Sequence, residues 1–152
     1  MIHQYSFLTA RCGYLWYALK INLDQPIYEE FYMADKLIFV VTFADEKEDK
    51  ATIPFALGNS ALAMDAEATI ILQSTGVFLG KKDYARHINA PGFPPLQQLM
   101  EIFKEEGGTL YACEPCIRAR NISTEDLLDY IEIVSGPTLV DGYLDAKNVI
   151  VY

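Results

Sequence analysis

Residues 36–43 (KLIFVVTF) form a continuous run of β-branched and aromatic side chains, without the apolar/polar alternation of a half-exposed strand. A strand that is apolar on both faces belongs inside a sheet covered on both sides, which is the parallel sheet of an α/β domain. The chain beyond it repeats the same alternation. Residues 51–64 read as a helix with Ile53, Leu57, Ala61 and Met64 on one stripe, Pro54 in the first turn and Gly58 packing closely on the sheet. Residues 67–73 (EATIILQ) read as the second strand, with Ser74-Thr75-Gly76 as the loop at its carboxyl end. A helix over 96–106 follows, started by Pro95, with Leu96, Leu99, Met100 and Phe103 facing in and Gly107-Gly108 as its C-terminal turn. The third strand covers 109–112. Ser123 caps a short helix, 131–134 is a strand, 138–145 a helix, and 148–152 (NVIVY) closes the sheet. The expected fold class is therefore α/β: one three-layer α/β/α domain around a five-stranded, mainly parallel sheet.

Composition narrows the function. Half of the 152 residues are apolar, enough for one sizeable core, and the formal net charge is -9. That charge argues against nucleic acid, whose phosphates need clustered Lys and Arg, and equally against an anionic membrane surface. The apolar stretch 5–21 is interrupted by Arg11 and has no basic segment before it, so neither a signal peptide nor a membrane span is expected. Three cysteines, two of them in one C-x-x-C, do not make a disulfide framework and fit a reducing, cytoplasmic compartment. The charged stretch 45–50 interleaves carboxylates with lysines and reads as a solvated loop rather than a cation cage. Residues 80–95, with Gly92 and Pro91, Pro94 and Pro95, read as a lid or binding loop, and His87 within it as a surface residue.

Residues 1–32 differ from the rest: rich in Tyr, holding the single Trp, and without clean periodicity. Glu29-Glu30 requires a purine-rich codon pair two codons before the ATG of Met33, the spacing of a ribosome-binding site. The expectation is that 1–32 is a leader of upstream translated sequence, Met33 is an alternative start, and the domain is 33–152. The alternative is a genuine extension packing its aromatics on the domain or a partner.

The chemistry concentrates at 109–120, TLYACEPCIRAR. A short β-prone run climbs to Cys113, and Pro115 then sets the backbone for a helical first turn. Cys113 falls at the carboxyl end of a strand, where open α/β sheets carry their reactive groups. Helix-start N–H groups, with Arg118 and Arg120 nearby, favour a thiolate. Four readings compete for Cys113 and Cys116. A structural zinc needs four ligands, and only Cys12, His3 and His87 remain to help, so no metal is expected. A thioredoxin-type dithiol would place the motif after an early strand rather than a third. A persulfide carrier would accept a sulfane sulfur on one cysteine and resolve it with the other. The plain alternative is two half-buried thiols packing beneath a loop.

From Met33 to Tyr152 the chain resembles the DsrE/DsrF-like proteins, the sulfur-relay family that includes the TusBCD components. The resemblance rests on Gly108-Thr109-Leu110-Tyr111-Ala112 followed by Cys113-x-x-Cys116-x-x-Ala119-Arg120-Asn121-Ile122, on the helix from Pro95 to Glu106, and on Ser135-Gly136 through Asp145-Ala146-Lys147-Asn148-Val149-Ile150-Val151-Tyr152. Asn121 stands where Gly is usual and is the next best residue for a left-handed turn. The resemblance implies a compact, flavodoxin-like α/β fold, assembly into homotrimers or homohexamers, and sulfur transfer between donor and acceptor proteins without a bound cofactor. In its register Cys113 carries the sulfur and Cys116 is the second cysteine that some members possess, with Arg118 and Arg120 in support. Two other functions stay open. One is a non-catalytic oligomeric module binding a small ligand in a groove at Ser74, Thr75, Gly76 and Gly136, near 91–95. The other is a dithiol-disulfide oxidoreductase.

Overall fold

The computed structural model describes residues 34–152. The leader reading of 1–32, the alternative start at Met33, and His3 and Cys12 lie outside the described residues. Five strands, β1 (Lys36–Val41), β2 (Glu67–Leu72), β3 (Thr109–Cys113), β4 (Ile131–Val134) and β5 (Asn148–Val151), form one sheet in the order β4-β3-β2-β1-β5. Every pairing is parallel. Four α-helices connect them: α1 (Glu48–Leu62), α2 (Leu96–Glu105), α3 (Glu114–Ala119) and α4 (Gly136–Asp145). The expected α/β class and five-stranded parallel sheet are thus observed.

The alternation of side chains along each strand divides the core in two. Phe39, Val41, Ile70, Leu72, Leu110 and Ala112 face one way, against Phe55 of α1, Phe103 of α2 and Ile117 of α3. Ile38, Val40, Ile71 and Val134 face the other way, against Leu139 of α4. The handedness of parallel crossovers explains this split. Steps β1→β2→β3→β4 all travel in one direction across the sheet, so right-handed connections put α1, α2 and α3 on one face. The step β4→β5 returns past β1 in the opposite direction and places α4 on the other.

Four details differ from the sequence-based expectations. The stretch 45–50 is not a loop: a 3-10 turn at Asp45–Lys47 leads directly into α1, and Pro54 therefore lies beyond the first turn of the helix. The buried side of α1 is also rotated from the expected stripe. Ala51, Phe55, Gly58 and Ala61 are buried, whereas Leu57 is 40% and Met64 77% exposed. Phe55 decides that rotation, because its ring packs edge-on against Phe103, centroids 5.8 Å apart at 85°. Gly58 keeps the two helices close: a Cβ there would come within 2.8 Å of the Phe103 ring. Finally, residues 80–95 do not form a free lid. They carry a 3-10 turn at Tyr84–His87 and bury Ala85, Ile88 and Ala90, with His87 exposed as expected. The helix expected after Ser123 is only a 3-10 turn, Thr124–Asp126, although the Ser123 hydroxyl does accept the Glu125 N–H at 3.4 Å.

Among the described residues no helix is long and apolar enough to cross a membrane. The loop after β2 is clamped onto the end of β1. Gln73 N–H donates to the Val41 carbonyl at 2.9 Å, and a Cβ on Gly76 would land on that same carbonyl. Since backbone cannot step aside as a flexible side chain can, Gly76→Ala is expected to lower stability by about 1–3 kcal/mol. Urea denaturation reads this directly, and an unchanged midpoint would mean that the loop is not held so tightly.

Candidate functional site

Cys113 ends β3 and stands at the N-cap of α3, with Pro115 in the first turn. Its strand partner is Val134, the last residue of β4. These two neighbouring strands send their helices to opposite faces, α3 to one and α4 to the other. The connections diverge at the carboxyl ends, which is the position at which open α/β sheets bind their ligands. Cys113 stands on the β3 side of this divergence, and Ser135, Gly136 and Pro137 follow β4 on the other. By the strand alternation Cys113 points to the α4 face, beside Tyr111 and Tyr143. Cys116, one turn into α3, packs toward the opposite core. Both thiols are half-buried and free.

The two arginines separate. Arg118 is exposed and pairs with Glu114 on its own helix at 3.5 Å, a solvated contact of small energetic weight. Arg120 turns toward the site, donating to the Cys116 carbonyl at 3.3 Å and to Ser74 Oγ at 3.5 Å. Ser74 is thereby joined to the cysteine loop across forty-six residues of sequence separation. Thr75 and Gly76 have a different task. Thr75 Oγ1 bonds the Thr42 carbonyl at 3.0 Å and the Glu46 carboxylate, and Gly76 is buried under β1, so both fix the loop rather than present it. Gly136 is exposed, with open space around its missing side chain. Asn121 has φ 50°, the left-handed turn expected where α3 ends and Arg120 is aimed.

Two residues at the site carried no recognisable sequence signal. Gln73 follows β2, Tyr143 lies on α4, and the Gln73 amide donates to the Tyr143 hydroxyl at 3.2 Å. That contact uses the acceptor side of the hydroxyl and leaves its proton for another partner. Burial pushes the Tyr143 hydroxyl above its ordinary pKa, the Gln73 contact opposes this, and the charge of a Cys113 thiolate adds to the rise.

The electrostatics correct one expectation. Burial pushes the Cys113 thiol up rather than down, and the adjacent Cys116 thiol adds to the shift. The Cys116 backbone N–H and the Arg120 guanidinium pull the other way without overcoming it. The folded chain therefore holds this proton more tightly than the unfolded chain does. Whatever stability that contributes is present at neutral pH and is lost as pH rises through the folded pKa. Among the described residues no group of three or more His, Cys, Asp or Glu could hold a metal ion.

These opposing influences are separable by alkylation. In Arg120→Gln, the rate of iodoacetamide modification of Cys113 at pH 8 is expected to fall roughly two- to fivefold, with its pH midpoint moving up. Cys116→Ala should move that midpoint down. Peptide mass spectrometry resolves the two cysteines, and identical profiles in all three proteins would dissociate Arg120 and Cys116 from the Cys113 thiol.

Comparison with known proteins agrees with this architecture. The profile of the DsrE/DsrF-like family matches residues 35–152. An uncharacterized protein of Methanopyrus kandleri is 31% identical over 118 residues, covering 78% of this chain and 94% of that one. The crystal structure of the ychN protein of E. coli superposes with a TM-score of 0.61 at 24% identity, over 78% of this chain and 99% of that chain. A protein of unknown function from Methanobacterium thermoautotrophicum, MTH1491, superposes with a TM-score of 0.62 at 17% identity, over 78% and 99% of the two chains. At these identities the two structures speak to the fold alone. The family match spans the whole sheet and the cysteine loop, and the chain belongs to the DsrE/DsrF-like family.

Proposed function

We propose that this protein is a persulfide carrier of a sulfur relay, the process with which its family is associated, and that Cys113 carries the sulfur. One observation supports this above the others: a half-buried, free thiol stands at the carboxyl end of β3, where the β3 and β4 connections diverge, with a guanidinium and a second thiol beside it. In the loading step the Cys113 thiolate attacks the terminal sulfur of a donor persulfide. The donor's S–S bond breaks, the donor departs as a thiolate, and Cys113 becomes the persulfide with no net oxidation or reduction. Unloading is the reverse displacement, by an acceptor thiolate on the same terminal sulfur. Arg120 stabilises the anion on either side of each step, and its charge also suits the persulfide anion.

Cys116 is the resolving thiol. Its attack on the inner sulfur of a loaded Cys113 expels hydrosulfide and leaves a Cys113–Cys116 disulfide, which clears a stalled carrier. A dithiol-disulfide oxidoreductase is the weaker reading, because such enzymes rely on a strongly lowered nucleophile pKa and Cys113 is shifted the other way. The partners are sulfur donor and acceptor proteins, met in the reducing cytoplasm. A homotrimeric or homohexameric assembly is supported by the apolar side chains left uncovered around α4 and β5, where Val140 is 55%, Leu144 82% and Val151 65% exposed.

Intact-mass analysis after incubation with a charged cysteine desulfurase tests the reading. Wild type is expected to gain the mass of one sulfur atom, Cys113→Ser to gain none, and Cys116→Ser to gain it and hold it longer. An adduct that survives Cys113→Ser, or no adduct on wild type, would refute the assignment.

A further inference from the structure

A cavity of about 220 Å³ lies on the α1–α2–α3 side of the sheet, apart from the cysteine site. Its walls are the stretch from Leu79 to Arg86, one side of α2, and the residues that lead into β4. None of Ser74, Cys113, Cys116 or Arg120 takes part in it. The floor is apolar: Leu79, Ala85 and Met100 are buried, and Leu128 and Tyr130 complete it.

The rim has the opposite sign to the protein. In a chain of net charge -9 with 12 Lys and Arg in all, Lys81, Lys82, Arg86 and Lys104 surround this one cavity. Of the two acidic side chains on the rim, one is paired with a cation and the other keeps its charge while accepting from a neutral amide. Asp83 is held by Arg86 at 2.7 Å, and Glu101 accepts from the Gln97 amide at 2.9 Å. The lysines are less fully compensated. Lys82 Nζ donates only to the Glu125 carbonyl, at 2.6 Å, and Lys81 makes no ion pair among the described residues. Lys104 lies over the Tyr130 ring at 4.6 Å and reaches Asp129 at 3.5 Å, which brings a cation to the edge of the apolar floor. Burial raises the Tyr130 hydroxyl to about 12, so it remains a proton donor throughout the neutral range.

An apolar floor beneath a ring of cations selects a molecule with an apolar body and an anionic head. The body displaces water from the floor, and the head meets a rim on which four cationic side chains face two carboxylates. We propose that this cavity is a binding site for a small amphipathic anion: a flat or branched apolar body, bicyclic or smaller, bearing one carboxylate or an equivalent anionic group. The site stands independently of the sulfur chemistry, since it shares no residue with it.

Methionine methyl NMR on the full chain tests the proposal, with 2-naphthoate as the probe and 2-naphthylmethylammonium as the cationic control. Met100 lines the cavity and Met64 does not, so the ring current of a bound naphthoate should shift the Met100 methyl saturably and leave Met64 in place. The control, with the same body and the opposite charge, should not shift it. Lys81→Glu and Lys104→Glu, both made at the solvent-facing rim, should each weaken naphthoate binding about tenfold while leaving the spectrum of the free protein folded. Equal response to the two probes would reduce the cavity to a nonspecific apolar dent. A Met100 methyl that does not move at millimolar naphthoate, or affinity unchanged in both variants, would overturn the proposal. An acidic peptide that displaces naphthoate and binds more tightly would overturn it too, turning the rim into a protein-docking surface.

Discussion

The handedness of the β-α-β crossover governs more of this molecule than any single contact. With the order β4-β3-β2-β1-β5, three consecutive connections must pass over one face of the sheet and the last must pass over the other. The reversal separates α3 from α4 at the ends of two hydrogen-bonded strands, and Cys113 and Val134 are the paired residues at that parting. A reactive cysteine at the end of β2 would lie between connections that run to the same side, with no such divergence beside it. The same reversal leaves the second face with one ten-residue helix over a five-stranded sheet. Among the described residues, apolar positions on α4 and β5 then remain exposed, because one helix is all that this topology lays over that face. Site and uncovered face are two results of one constraint.

Most of the fold was legible because strands and caps are local. KLIFVVTF announces a doubly buried strand, the four apolar positions of α2 fall at clean helical spacing, and Asn121 takes the left-handed turn that its residue type permits. The misreading of α1 has a physical cause. Its sequence, EDKATIPFALGNSAL, is apolar nearly all the way round, so periodicity alone admits more than one buried face. The choice falls to Phe55, whose partner Phe103 lies 48 positions further on. Glu46 gives a second example. As text it belongs to a charged loop. In the fold its carboxylate accepts the Ala44 N–H at 3.0 Å and meets Thr75, joining the entry of α1 to the loop after β2.

The candidate site was legible only along the chain, not across it. Cys113, Cys116 and Arg120 are close in sequence, and their spacing on a strand end and a short helix could be read directly. Arg118 and Arg120 looked equivalent on the page, but a helical step of two residues sends side chains to different sides, so one meets solvent and the other the cysteine loop. Gln73 and Tyr143 are separated by seventy residues and meet only because β2 and α4 are folded against each other. The raised Cys113 thiol was beyond the sequence for a related reason. Helix start and arginines are visible in the text and favour a thiolate, whereas the opposing burial depends on a core gathered from β1, β2, β4 and α4.

That raised thiol bears on the sulfur chemistry proposed for the site. A thiol of higher pKa is less often ionised at neutral pH, but its thiolate is intrinsically the better nucleophile and the poorer leaving group. A carrier must do two things in sequence: take a sulfur from one protein and keep it until another arrives. In the proposed carrier, poor leaving-group character would make a Cys113 persulfide slow to surrender its terminal sulfur to small thiols in solution, and half-burial would limit their approach. In such a transfer Arg120 would partly offset the cost, because its charge favours the anion over the protonated thiol. A redox enzyme that turns over many disulfides needs the reverse arrangement, with an exposed and easily expelled thiolate. In the proposed carrier, the burial that argues against fast disulfide exchange is thus the property that suits retention of a sulfur atom.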